Sequence, residues 1–265
     1  MVTAPVPPSP LPRPALDAHT HLDMIDLPVV DVVAAARAAG IVRVVTVGTD
    51  LETSRWSVRC AQEHDGVYAA VAIHPNETAA ADRSAMAEIE ALAGLPRVVA
   101  VGETGLDYYR NYADPDRQRR WFREHIAIAK AAGKALMIHD RDAHADVLRI
   151  LEQEGPPPRV VFHCFSGDVA MVKQCAEAGY VMSFAGNVTF GNAQPLRDAA
   201  AAVPPDLLLA ETDAPFLTPV PNRGRLNTPA QVVHTLRCLA GVKGMDLAGL
   251  CDAVTATAER TFGPW

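Results

Sequence analysis

Short apolar runs recur along this chain, and many of them end on a histidine or a carboxylate. The first covers residues 15–18 and leads into ALDAHTHLD; later ones end in AIHPNE, VVAVGETGLD, ALMIHD, VVFHCFSG and LLLAETDAP. Runs of this length predict strands at residues 15–18, 42–47, 67–73, 98–101, 135–138, 160–162, 180–184 and 207–210. Between them the apolar positions follow helical spacing. Helices are predicted near residues 28–39, after Asp50, and at 84–92, 115–132, 142–152, 168–178, 229–240 and 246–261. Gly40 and Gly133 stand where helix-ending glycines belong, and Asp50 where a capping carboxylate belongs. Strands separated by helices predict parallel βαβ units, and eight of them predict an α/β fold, the (β/α)8 TIM barrel. Residues 186–203 are polar and poorly periodic, so a distorted or seven-stranded barrel is the alternative.

No internal repeat or linker divides the chain, so residues 15–265 read as one domain. Residues 1–14, MVTAPVPPSPLPRP, read as a disordered proline-rich tail rather than a signal peptide, because they lack an apolar stretch. The chain has 265 residues, 49% of them hydrophobic, enough for a large single core. No apolar run reaches the roughly 18 residues a membrane span needs, so no membrane partner is expected. Five scattered cysteines without a CxxC pair argue against a disulfide framework and a thiolate zinc site. A reducing cytoplasm is the default location. The net charge of −7 argues against a broad clamp on duplex nucleic acid. It leaves a phosphate substrate open, since divalent cations supply positive charge locally.

Six residues at or just beyond strand ends have the chemistry of a metal site: His19, His21, Glu103, His139, His163 and Asp213. His19 and His21 are two apart, so on a strand they point to the same face. Imidazole and carboxylate ligands suit zinc, manganese, iron or magnesium. Six ligands exceed what one tetrahedral ion needs. Two ions sharing a carboxylate use them well, with Glu103 as the bridge. Ions about 3.5–4 Å apart hold the attacking and leaving oxygens of a phosphoryl displacement. Taken singly, each histidine reads more simply as a buried, hydrogen-bonded side chain; the joint pattern points to metal.

His74 ends the third strand and is expected to touch substrate or support a ligand. Asp107 either orients a ligand histidine, pairs with an arginine or caps a loop. Arg110 and Arg223 are the candidate phosphate contacts. Tyr108, Tyr109 and Phe216 have the shape to stack on a base or sugar, with plain packing as the simpler role. His64, His125, His144 and His234 fall in helical stretches and read as surface or packing residues.

Taken together, DAHTHLD, AIHPNE, VGETGLDYYR, MIHDRDA, FHCFSG and ETDAPFLTP resemble the TatD family of metal-dependent deoxyribonucleases. The family stands within the wider amidohydrolase-like metal hydrolases, and the strings fall in its order along nearly the whole chain. The resemblance implies a TIM-barrel hydrolase acting on DNA ends or single strands with two divalent ions, Mg, Mn or Zn. It implies that His19 and His21 bind one ion with Asp213 beside them, that Glu103 bridges, and that His139 and His163 bind the second. His74 falls in the substrate pocket. One departure is Asn227-Thr228-Pro229, where the family often has Asn-Glu-Pro. It puts in doubt a contact near the mouth, outside the six ligands. The expected reaction is 3′–5′ exonucleolytic hydrolysis by a monomer, with Asp213 orienting or deprotonating the water and Glu103 setting the ion spacing. The first rival is an amidohydrolase-like enzyme that cleaves an amide, lactone or phosphotriester with the same ligands. The second is a binding protein with a vestigial site, which predicts missing ligands.

Overall fold

A parallel strand covered on both faces has no polar side, and here Val, Ile, Leu and Ala supply most strand positions. The computed structural model describes residues 6–110 and 112–265. Its strands are β1 (Ala15–Thr20), β2 (Ile41–Val47), β3 (Val67–Val71), β4 (Val98–Asp107), β5 (Ala135–Arg141), β6 (Val160–Phe162), β7 (Val181–Phe184) and β8 (Leu208–Ala210). The helices are α1 (Val29–Ala38), α2 (Leu51–Glu63), α3 (Arg83–Ala93), α4 (Pro115–Ala132), α5 (His144–Glu154), α6 (Val169–Glu177), α7 (Gln194–Ala202), α8 (Val232–Lys243) and α9 (Leu247–Phe262). The eight strands form one sheet in sequence order, β1 to β8, which is the (β/α)8 barrel topology.

The chain gathers into two compact units. One joins the chain up to Val45 with Gly167–Arg260; the other joins Thr46–Ser166 with Thr261–Trp265. In the first unit β7 pairs with β8, Ser183 opposite Leu209. The seam between β8 and β1 closes just past the strands. There the Asp213 N–H donates to the His19 carbonyl at 3.0 Å and the His21 N–H to the Ala214 carbonyl at 2.7 Å. The expected disorder of residues 1–14 falls in part on residues 1–5, outside the described residues. Residues 6–14 form neither helix nor strand, bend at Pro12 and Arg13, and are tied into this unit. Leu11 is buried, Arg237 donates to the Ser9 carbonyl at 2.7 Å, and Val6 exchanges hydrogen bonds with Asn222. A proline-rich segment keeps its carbonyls free, and those of Val6 and Ser9 accept from the Asn222 and Arg237 side chains.

The stretch 186–203, expected to be irregular, contains α7, which packs on α8. Its run Asp-Ala-Ala-Ala-Ala has high helix propensity, but the helix spans only nine residues, too few for a repeating apolar pattern to stand out in the sequence.

In the second unit β3 to β6 pair in parallel. Phe122 and Ile126 of α4 are fully buried, as are Leu136, Met137 and Ile138 of β5. α4 starts on Asp114, whose side chain accepts from the Asp116 and Arg117 N–H groups, and ends on Gly133 at φ 62°. The register of β4 against β5 shifts between Val101 and Thr104, and Glu103 lies inside that irregularity. Such an irregularity turns a side chain out of the strict alternation of the strand. Gly105 lies opposite His139 in the register at φ +136°, and a Cβ there would stand 2.1 Å from the His139 carbonyl oxygen. Only glycine lets the two backbones approach this closely.

Candidate metal centre

Each unit carries its own group of imidazoles and carboxylates at strand ends. In the first, His19 and His21 are buried, with their Nε2 atoms 3.2 Å apart and their rings edge to face. Asp213 Oδ1 lies 3.7 Å from His19 Nε2 and 3.5 Å from His21 Nε2. Asp213 has φ 51°, a left-handed backbone that Asp tolerates better than most residues. Its position follows from the seam, since its own N–H bonds to the His19 carbonyl. Behind it, Asp17 accepts from the Thr212 N–H at 2.8 Å and from Thr212 Oγ1 at 2.5 Å. Asn227 Nδ2 donates to the Thr212 carbonyl at 3.0 Å and also to the Phe216 carbonyl. The Asn of the departing Asn-Thr-Pro string thus braces the loop that carries Asp213.

In the second unit one oxygen, Glu103 Oε1, meets three imidazoles. It lies 2.8 Å from His139 Nδ1, 2.8 Å from His163 Nε2 and 3.4 Å from His74 Nε2. Glu103 is buried, which pushes its carboxyl up; the His163 and His74 charges and the His139 hydrogen bond override this and hold it well below the ordinary range. His139 Nε2 lies 3.1 Å from Asp107 Oδ2. Burial raises the Asp107 carboxyl, but hydrogen bonds from His139, the Arg110 N–H and Asn76 win and keep it ionised. Burial pulls the His139 imidazole down, and Asp107 and Glu103 together carry it above the usual range. For His74, burial prevails and lowers it, against the pull of Glu103.

Hydrogen bonds assign the protons. The Asn76 N–H donates to His74 Nδ1 at 3.0 Å, so a neutral His74 carries its proton on Nε2. That makes His74 a donor toward the cluster rather than a ligand. His139 points Nε2 at Asp107, which leaves Nδ1 toward Glu103, the arrangement of a carboxylate-oriented ligand histidine.

Both groups are buried or half-buried sets of nitrogen and oxygen donors with no lysine or arginine among them, which is chemistry suited to divalent cations. Of the six predicted ligands, His19, His21 and Asp213 come together in one unit. Glu103, His139 and His163 come together in the other, with His74 among them.

The predicted arginines behave differently. Arg110 touches the cluster through its backbone N–H on Asp107. The Arg223 guanidinium lies over the Phe190 ring at 4.1 Å. Tyr108 is held by Asp146 and Arg119. Tyr109 is exposed, with the Arg141 guanidinium 4.0 Å from its ring centre. Phe216 is exposed, 6.1 Å from the His21 ring. Sequence reasoning missed Asn76, whose side chain also donates to Asp107 at 3.1 Å, and Arg141. Asn76 stands in the same AIHPNE string as His74, and an Asn just past a strand-end His-Pro was the available signal.

Residues 16–263 match the sequence model of the TatD related DNase family. The chain is 46% identical over 257 residues to the "Uncharacterized metal-dependent hydrolase TatD" of Mycobacterium tuberculosis, covering 94% of this chain and 97% of that protein. It is 36% identical to the "Uncharacterized metal-dependent hydrolase YabD" of Bacillus subtilis, covering 93% and 98%. Among solved structures it is similar to YjjV, a TatD homologue of Escherichia coli, with a TM-score of 0.89, 25% identity and coverage of 94% and 97%. A TatD family hydrolase of Entamoeba histolytica, 17% identical, shares the fold at a TM-score of 0.84, covering 97% and 99%.

Proposed function

This chain belongs to the TatD related DNase family of metal-dependent hydrolases, and from that premise we propose that it hydrolyses DNA phosphodiester bonds from a 3′ end. The observation that carries this reading is the Glu103 carboxylate among three histidines, with a matching pair of histidines on Asp213. Two divalent ions, Mg, Mn or Zn, would be held by His19, His21 and Asp213 and by Glu103, His139 and His163. When bound, such ions supply positive charge to a phosphate and acidify a water. Asp213 would orient the attacking water and accept its proton, as the carboxylate standing beside His19 and His21. His74 donates from Nε2 to a non-bridging phosphate oxygen, its other nitrogen being held by Asn76. Exposed Tyr109 on Arg141 and exposed Phe216 offer faces for bases of a single strand. Arg110 and Arg223 serve as phosphate contacts. Among the described residues no helix is long and apolar enough to cross a membrane. A cytoplasmic monomer completes the reading.

The test is gel analysis of end-labelled single- and double-stranded DNA with added Mg2+, Mn2+ or Zn2+, beside a panel of amides, lactones and phosphotriesters. Mononucleotides released from the 3′ end are expected. Glu103→Ala and Asp213→Ala should each lower the rate by at least about 100-fold with the fold intact. Either variant cutting at the wild-type rate removes the assignment. Turnover of the panel alone moves the enzyme to the amidohydrolase-like chemistry.

A further inference from the structure

The starts of β3 to β6 lie at the opposite ends of these strands from His74, Glu103, His139 and His163. Within this one unit they border a cavity of about 250 Å3. Its lining includes Tyr68, Arg97, Lys134, Arg159, Phe262 and Trp265. Three cations therefore meet at one opening. Arg97 has an acidic partner, Asp65 at 3.0 Å. Among the described residues Arg159 donates only to main-chain carbonyls, those of Gly263 at 3.2 Å and Gly133. The Lys134 ammonium has no hydrogen bond or ion pair among the described residues. Burial, together with the Arg159 charge, pulls Lys134 below the ordinary lysine range. Two partly buried cations without an acidic side chain between them repel each other, and an anion seated there relieves the repulsion.

The other wall is aromatic. The Tyr68 and Trp265 rings meet at 4.5 Å and 61°, and Phe262 lies behind Trp265 at 5.9 Å. A planar ring gains stacking against such a wall. The volume is of the order of a mononucleotide and too small for a strand of several nucleotides. Catalytic residues of this fold gather at the other ends of the strands, so the metal centre leaves this cavity without a role.

We propose that this cavity binds a small phosphorylated ligand with a planar ring, in class a nucleoside monophosphate. Lys134 and Arg159 hold the phosphate, and the Tyr68–Trp265 pair covers the ring.

The test is titration calorimetry of the full chain, with divalent metal present, against deoxyadenosine monophosphate, deoxyadenosine and inorganic phosphate. Besides any product binding at the metal centre, the monophosphate is expected to bind at a site that Glu103→Gln retains, in the sub-millimolar range and at least about tenfold more tightly than either fragment. Lys134→Gln, which breaks no hydrogen bond or ion pair among the described residues, should weaken it at least about tenfold while melting as the parent does. Lys134→Arg should restore it, and Glu103→Gln should leave it unchanged. The proposal is overturned by no saturable heat up to about 10 mM, or by Lys134→Gln binding like wild type. Loss in Glu103→Gln overturns it too, since the ligand then sits in the metal centre. Inorganic phosphate binding as tightly as the monophosphate removes the ring from the site.

Discussion

Asp107 shows how much one carboxylate decides at the scale of the residue. Its Oδ1 accepts from the Tyr109 and Arg110 N–H groups at 3.0 and 2.9 Å, which anchors the carboxylate. Its Oδ2 faces His139 Nε2, which fixes the proton there and frees Nδ1 for a cation. Asp107→Asn keeps the shape and loses the charge. It should lower divalent-metal affinity by about 10–100-fold, read by calorimetric titration of metal into chelator-treated protein. Unchanged affinity would show that His139 needs no orienting partner. From the sequence, ETGLD drew attention to Asp107 but left three roles open. The structure uses two of them at once, one on a histidine and one on a loop. The stack of Arg141 on Tyr109 was out of reach for a local reading, because Arg141 ends β5 while Tyr109 lies in the turn after β4, and the β4–β5 register brings Asp107 level with Arg141.

At the scale of the element, α4 was legible from end to end. Pro115 at its first turn, Asp114 before it and Gly133 after it mark the boundaries that the structure has. What α4 does was not legible. His125, expected at the surface or in packing, is fully buried. Its Nε2 accepts from the Ile73 N–H at 3.1 Å and its Nδ1 donates to the Trp121 carbonyl at 2.8 Å. The helix thereby holds the chain one residue before His74. Burial lowers His125 from 6.5 to about 4, against the Trp121 hydrogen bond. The folded state thus resists a proton that the unfolded state accepts. The stability that neutral His125 contributes is complete above about pH 6.5 and is lost as pH falls toward 4. For His125→Gln, the deficit against wild type in urea unfolding should shrink by about 2 kcal/mol between pH 7.5 and pH 5. A deficit that stays constant would rule this linkage out.

For the whole molecule, the metal-ligand groups are buried or half-buried, so a bound cation favours the native state by mass action. A hundredfold excess over the dissociation constant adds about 2.7 kcal/mol. In a chain of this size that raises the melting temperature by roughly 5–10 °C. Chelator should lower the melting temperature of metal-loaded protein by that amount, and Glu103→Ala should melt alike with and without metal. A wild-type chain indifferent to chelator in a thermal scan would remove metal from the reading. By itself the sequence determined the order of the strands, the ends of helices such as α4, and which side chains stand at strand ends, because backbone periodicity and capping act within a few residues; it left the strand number open between seven and eight and gave no sign of α7. It also carried the family resemblance, which rests on those same strings. Tertiary structure alone decided which nitrogen each histidine turns to the cluster, that one Glu103 oxygen meets three imidazoles, and that Lys134 and Arg159 share a cavity at the other ends of the strands. Those outcomes depend on register, on the irregularity in β4, and on the seam between the first and last strands. All three bring together residues far apart in the chain, where no local pattern reaches.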